Sequence, residues 1–485
     1  MTERAKLLWV YGASAVFIAA NAYLFLHNKL WGLALPFALL LLILYIFSLD
    51  KVILMTTFLT PLAINLQDAE FGLSVSLPSE PLMFGVLLLF LLKLLNERFY
   101  DRRIIRHPVS IAILINLIWI FITCFTSEMP LVSAKFMVAR LWFVVPFYFA
   151  GILLFSDFPN IKKFQWLYVI PFILVIFYTL YNHSTFGFDK PHSNMVMKPF
   201  YNDHTAYGAV IAFFLPVFAG FVLTKIYSRT LRITAFVFLA ILITGIIFSY
   251  SRAAWISVAA ALGTYFLIRF RVRFYWLMIA LILGAGIFYI SRYQFIDKLE
   301  KNKQDSSTDF VEHVQSISNI SSDASNLERI NRWASALRLF KERPLFGWGP
   351  GTYQFVYAPY QRSKEKTIIS TNYGDMGNAH SEYIGPLSES GVLGMLTFIG
   401  VVVTTIITGI RVYRRAERKE VRIFGLIITL GLISYYMHGL MNNFLDTDKA
   451  SVPFWAFTAI LVAMDLYHCG QQSTVSGQQS MTNDE

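Results

Sequence analysis

The sequence predicts an all-α polytopic membrane protein, and three observations carry that prediction. Apolar runs of about 20 residues recur along the chain, each long enough to cross roughly 30 Å of hydrocarbon. Hydrophobic residues make up 56% of the 485 residues and charged residues only 15%, whereas a soluble domain carries roughly 25% charged. The basic residues gather in short gaps between the apolar runs, where orientation signals sit.

Fourteen candidate spans follow in order: 8–26, 31–48, 51–66, 82–96, 109–125, 136–155, 165–181, 206–224, 233–249, 252–268, 274–290, 385–410, 423–440 and 452–468. The first run, Leu7 to Leu26, lacks a small-residue cleavage site and reads as a span, not a signal peptide. Six basic clusters fall after even-numbered spans or at the start of the chain. They are Arg4/Lys6, Arg98 to Arg106, Lys162/Lys163, Lys225 to Arg232, Arg269 to Arg273, and Arg411 to Arg422. All six then lie on one side, which the positive-inside rule makes cytoplasmic, together with both termini. The net charge of +11 is accounted for by these clusters and does not point to nucleic acid. Cys124 and Cys469 fall on opposite sides and offer neither a disulfide framework nor a metal motif. Four regions are expected: an N-terminal transmembrane bundle (1–290), a large periplasmic loop (291–384), C-terminal transmembrane helices (385–468) and a disordered cytoplasmic tail (469–485).

In the loop, 301–325 is rich in Ser, Asp and Asn and is expected to be flexible. Ser325-Asn326-Leu327-Glu328 has the form of a capping box, so a helix is expected from about Asn326 to Glu342, ending before Pro344. Arg329 and Arg332, three apart, share a face, and Trp333, Leu337 and Phe340 form a stripe suited to packing on the bundle. A glycine-rich turn, Pro344-Leu345-Phe346-Gly347-Trp348-Gly349, leads to a short helix near Thr352–Tyr360.

Candidate chemistry gathers at the non-cytoplasmic boundary. His380 ends the polar loop where an apolar helix begins; it could cap that helix, yet its titration range suits general acid–base work on a substrate with a lipid anchor and a soluble head. Arg252 opens a span after almost no turn. It can snorkel as an anchor, but a guanidinium there also suits bidentate phosphate binding. Arg140, just inside its span, has the same two readings, while Arg329 and Arg332 are either solvated or docked. His204 either begins a helix or lines the site, and Glu382 is a possible second base. His183 and His192 have only loop context, and the histidine spacing matches no compact zinc motif, so no metal or other cofactor is expected.

Three ordered motifs resemble the O-antigen ligase/polymerase superfamily of bacterial envelope glycosyltransferases. They are Ser251-Arg252-Ala253-Ala254-Trp255; Arg329/Arg332-Trp333 followed by Pro344-Leu345-Phe346-Gly347-Trp348-Gly349; and His380-Ser381-Glu382-Tyr383 with Glu389, Gly391 and Gly394. The resemblance covers about 200–440 and implies a GT-C-like bundle of about 12–14 transmembrane helices in the bacterial inner membrane. It further implies metal-independent transfer of a glycan from undecaprenyl pyrophosphate to an acceptor hydroxyl at the periplasmic face. His380 then orients or deprotonates the acceptor. Arg252, with Arg329 or Arg332, stabilises the leaving pyrophosphate, and Arg140, His204 and Glu382 contact substrate. The leading expectation is O-antigen ligation to lipid A–core. Repeat-unit polymerisation of O-antigen or exopolysaccharide, protein O-glycosylation and lipid-linked glycan flipping are the alternatives.

Overall fold

A computed structural model describes residues 3–27, 29, 35–68, 73–97, 100–272, 286, 324–365 and 377–470. The helices are α1 (Glu3–Leu26), α2 (Leu35–Phe47), α3 (Leu49–Leu59), α4 (Ser79–Glu97), α5 (Arg102–Ile105), α6 (Pro108–Phe125), α7 (Pro130–Val144), α8 (Ala150–Phe155), α9 (Phe158–Ser184), α10 (His204–Leu223), α11 (Arg229–Phe248) and α12 (Arg252–Arg269). After these come α13 (Ala324–Glu342), α14 (Tyr353–Val356), α15 (Ile384–Glu389), α16 (Gly391–Arg415), α17 (Lys419–His438) and α18 (Asp448–Ala463). A π turn joins α7 to α8 as one span, and another extends α18 to His468. Among the described residues nine helices are long and apolar enough to cross a membrane, so the chain is an all-α polytopic membrane protein. The expected span 274–290 apart from Gly286, the flexible stretch 301–325 up to Asp323, and the tail from Gln471 lie outside the described residues.

One expected span is corrected. The run 51–66 ends as a helix at Leu59, makes a single 3₁₀ turn over Thr60–Leu62, and becomes strand β1 (Ile64–Asp68). This strand pairs antiparallel with β2 (Leu73–Leu77), Ile64 opposite Leu77. Pro61 has no amide hydrogen to continue the helix ladder, and Ile64 and Leu66 then alternate with polar residues at the period of a strand.

The bundle is organised around α18, in which every residue from Asp448 to Ala463 is buried. A helix enclosed all round must satisfy its polar groups internally. Accordingly Lys449 bonds the Asp448 carboxylate at 2.9 Å, and the Ser79 hydroxyl reaches the same carboxylate at 2.5 Å. At one end of the bundle Lys162 pairs with Glu420 at 2.5 Å and Arg411 with Asp465 at 3.0 Å. The other end carries the turns before α7, α10, α12 and α18 together with the 324–390 segment.

The glycine-rich turn of that segment is clamped to the join between α15 and α16. The Trp348 and Gly349 amides donate to Ser388 and Glu389 carbonyls at 3.1 and 2.8 Å, and the Val392 amide donates to the Pro344 carbonyl at 2.9 Å. Gly347 and Gly391 have φ of 68° and 72°. A Cβ on Gly391 would lie 2.0 Å from the Leu345 carbonyl oxygen. Left-handed strain of roughly 1–3 kcal/mol adds to that backbone clash. Gly391→Ala is therefore expected to lower the thermal midpoint of the detergent-solubilised protein. Gly400→Ala, where an added methyl meets nothing within 4 Å, should leave it unchanged; equal midpoints for the two variants would contradict this account.

The inward face of α13 differs from the expected aromatic stripe. Glu328, Asn331, Arg332, Ser335, Ala336 and Leu339 are buried, while Leu337 is exposed. Burying so polar a face is possible because Arg332 Nε bonds Glu328 at 2.7 Å, with both side chains almost fully enclosed. Ala336 and Leu339 complete a small core with Tyr353, Tyr357 and Ala379.

Candidate functional site

His380 is placed by its backbone. Its amide donates to Asn378 Oδ1 at 3.1 Å, and the Trp333 indole of α13 donates to its carbonyl at 3.4 Å. The residue itself adopts φ of 48°, a conformation uncommon outside glycine. His204 is placed by an N-cap: the Asp203 carboxylate accepts the Thr205 and Ala206 amides at 2.7 and 2.9 Å, fixing the first turn of α10. Arg252 opens α12 behind its own cap, the Ser251 hydroxyl accepting the Ala254 amide at 3.4 Å. Gly208, one turn into α10, lets the two helices close: a Cβ there would lie 3.0 Å from the Ser251 Cβ.

Arg329 links these elements. Its Nε donates to the Met441 carbonyl at 3.1 Å, tying α13 to the loop before α18. Its charge acts on His204, His380 and His438 alike, and Arg252 and Lys190 also act on His204. Burial, and then the Arg329 and Arg332 charges, hold the His380 imidazole well below its usual titration range, with Asp203 and Glu328 opposing. His380 is consequently neutral at pH 7 and able to accept a proton.

The two loop arginines have different surroundings. Arg332 is paired with Glu328, lies 4.2 Å over the Tyr357 ring and packs against Gly377. Arg329 is the charge shared by the three histidines. Arg140 stands among carboxylates: its Nη1 donates to the Leu445 carbonyl at 3.2 Å, and its charge acts on Glu382, Glu389 and Asp446. Glu382 is a staple for the α17–α18 loop. Its Oε1 accepts the Tyr435 hydroxyl at 2.7 Å and the Phe444 and Leu445 amides at 2.7 and 2.9 Å. Burial raises its carboxyl against the Arg140 charge and those donors. The structure thus brings His380, Arg329, His204 and Arg252 into one electrostatic neighbourhood, with Arg332 at its edge, and sets Arg140 and Glu382 in another.

His438 belongs to the first group and was missed from sequence. It closes α17 at the same end of the bundle, buried, 3.1 Å from Asn442 Nδ2. Its place at the end of an apolar run was the available signal. His183 and His192 hold the loop before α10, contacting the Asp189 carbonyl at 2.6 Å and its carboxylate at 2.7 Å.

Residues 236–399, about a third of the chain, match a family model described as O-antigen ligase. That segment includes Arg252, Arg329, Arg332, His380 and Glu382, and leaves out Arg140, His204 and His438. A Haemophilus influenzae Rd protein described as uncharacterized is 25% identical over 322 residues, which is 64% of this chain and 75% of that protein.

Proposed function

From an O-antigen ligase-like chain, a superfamily supported by the match at 236–399, we propose metal-independent transfer of a glycan from undecaprenyl pyrophosphate to a hydroxyl of lipid A–core. The family supports glycan transfer of the ligase or polymerase type, from a lipid-linked donor to a glycan acceptor in the membrane. The arrangement that supports the finer reading is His380 held through its carbonyl by Trp333 of α13, the helix whose Arg329 carries a charge that acts on His380 and His204.

The acceptor oxygen attacks the anomeric carbon as that carbon's bond to the pyrophosphate oxygen breaks. The bonding electron pair leaves with undecaprenyl pyrophosphate, the acceptor proton passes to His380, and the configuration inverts. Arg252 and Arg329 stabilise the charge developing on the leaving group, and fixed cations do so best where water is excluded. His204 lines the donor path, and Arg332 holds the inward face of α13. After transfer, the nearby arginines drive the proton off the imidazolium to water, which resets the base. The distribution of Lys and Arg supports an inner-membrane protein with cytoplasmic termini and the His380 end facing the periplasm.

Deleting the gene and profiling the lipopolysaccharide tests this reading. Loss of every glycan-bearing form, including the single-repeat form, with lipid-linked donor accumulating, is the expected result. Retention of the single-repeat form assigns a polymerase instead. An unchanged profile overturns both, and loss of a glycoprotein in its place assigns a protein acceptor.

A further inference from the structure

The glycine-rich turn has a depth as well as a clamp. Both of its ends stand level with the turn between α6 and α7. Arg343 Nη2 bonds the Glu128 carboxylate at 2.7 Å, and the Glu128 amide donates to the Trp348 carbonyl at 3.0 Å. Its tip lies lower. The Phe346 ring stacks on the Trp119 indole, with centroids 5.7 Å apart and planes 14° from parallel. Trp119 precedes Phe125, the last residue of α6, by six positions, which at 1.5 Å per residue is about 9 Å down the helix axis. The same indole donates Nε1 to the Ser390 carbonyl at 2.8 Å, so the join of α15 and α16 sits at that depth too. Residues 343–348 therefore descend along α6 and return.

The tip exposes large apolar groups. Leu345 is 49% and Phe346 38% exposed. Phe346 rests on α6, and Leu345 lies against the start of α16, where a Cβ on Gly391 would meet its carbonyl. Asn116 Nδ2 closes the seam between these two helices by donating to Thr397 Oγ1 at 2.9 Å. Their outward faces are apolar and exposed, with Ile115, Ile118 and Ile122 on one and Leu393 and Leu396 on the other. Both helices are long and apolar enough to cross the membrane, so lipid covers those faces, and the tip continues them. Charge follows the same depth: Pro344 to Gly351 holds no ionisable residue, while Lys341, Glu342 and Arg343 stand just before it. The backbone agrees. Pro344 has no N–H, its carbonyl accepts the Val392 amide, and the Gly347, Trp348 and Gly349 amides are spent on carbonyls. The Leu345 and Phe346 amides have no hydrogen-bond partner among the described residues. Unbonded amides are not tolerated in the hydrocarbon centre, so the tip belongs at the still-wet boundary of head groups and acyl chains, the depth at which interfacial apolar groups insert.

We propose that Pro344–Phe346 is a membrane-inserted anchor. Leu345 and Phe346 enter the top of the acyl region in the leaflet at the His380 end, with Arg343 and Glu128 at head-group level. The partner is the lipid surface itself, whatever reaction the site performs. Because the turn is bonded to Ser388 and Glu389 of α15, which begins four residues past His380, the anchor ties the His380 segment to the bilayer surface.

Nitroxide accessibility tests this on the full-length chain in phosphatidylethanolamine–phosphatidylglycerol nanodiscs, with one cysteine at a time in a Cys124→Ser, Cys469→Ser background. A label at Leu345→Cys is expected to show an oxygen-to-nickel-chelate collision ratio close to that at Leu396→Cys on α16. The ratio should be severalfold above that at Lys341→Cys, an exposed position of α13. A ratio nearer that of Lys341→Cys would put the tip in water, and protection from both reagents would put protein over it; either result overturns the proposal. The unaltered protein provides a second measurement that does not depend on the variants folding. Photolysis in vesicles carrying a phospholipid with a diazirine near the top of its acyl chain should attach lipid to Leu345 or Phe346 as it does to α6 and α16. Adducts on those helices without any on the turn would equally remove the anchor.

Discussion

Replacing His380 with alanine is expected to lower glycan transfer about 10²–10⁴-fold, the usual contribution of a positioned general base. The lipid-linked donor should accumulate, because the cations proposed to bind its pyrophosphate remain. The argument rests on protonation as well as position. An imidazole of ordinary pKa, about 6.5, is partly protonated near neutrality, whereas burial and two guanidinium charges keep His380 neutral there. A depressed pKa also makes it a weaker base, which suits a reaction where proton transfer accompanies departure of a good leaving group and need not precede it. Assaying membranes with lipid-linked donor and acceptor, at matched protein levels, measures the loss; a variant within twofold of the parent would remove His380 from the chemistry.

The second large effect is that of Arg329→Gln. Losing one preorganised donor to a developing anion typically costs about 10²–10³-fold in rate, and the pH profile should move as well. After burial, the Arg329 charge does most to hold His380 down. The neutral, competent form of His380 exists above its pKa, so the acid limb of the parent's profile lies below the ordinary histidine range. Removing the arginine raises that pKa, so the acid limb should shift to higher pH. Arg329→Lys keeps the charge but loses the planar fork; it should retain the low acid limb while remaining slow. An acid limb in the glutamine variant that stays with the parent's would show that Arg329 does not act on the base, whatever the change in rate.

Much of this arrangement was legible in the chain. Hydropathy located the long helices, because a run of about 20 apolar residues has few alternatives to crossing a bilayer. It misread 51–66, because an apolar run by itself does not distinguish a helix from a helix, a proline and a strand. The Ser-Asn-Leu-Glu start and Pro344 bracketed α13 closely. Its inward face was expected to be the stripe of Trp333, Leu337 and Phe340, although Glu328 and Arg332 stand at the i,i+4 spacing that favours a buried pair. That spacing could have separated Arg332 from Arg329. The surroundings of Arg140 were out of reach, since Glu382, Glu389 and Asp446 come to it from more than 240 residues away in the chain. Depth relative to a membrane can be counted along a sequence; which acids encircle one arginine is decided by tertiary packing.

The left-handed backbone at His380 carries a consequence for how such a position persists. With φ of 48°, glycine fits this point of the chain better than any other residue, and asparagine next best. Folding alone thus exerts a small pressure toward replacing the imidazole. Under the proposed chemistry, stability and activity make opposite demands on this single residue. Drift in a lineage that no longer uses the reaction should begin there, with a glycine or an asparagine and an otherwise intact bundle.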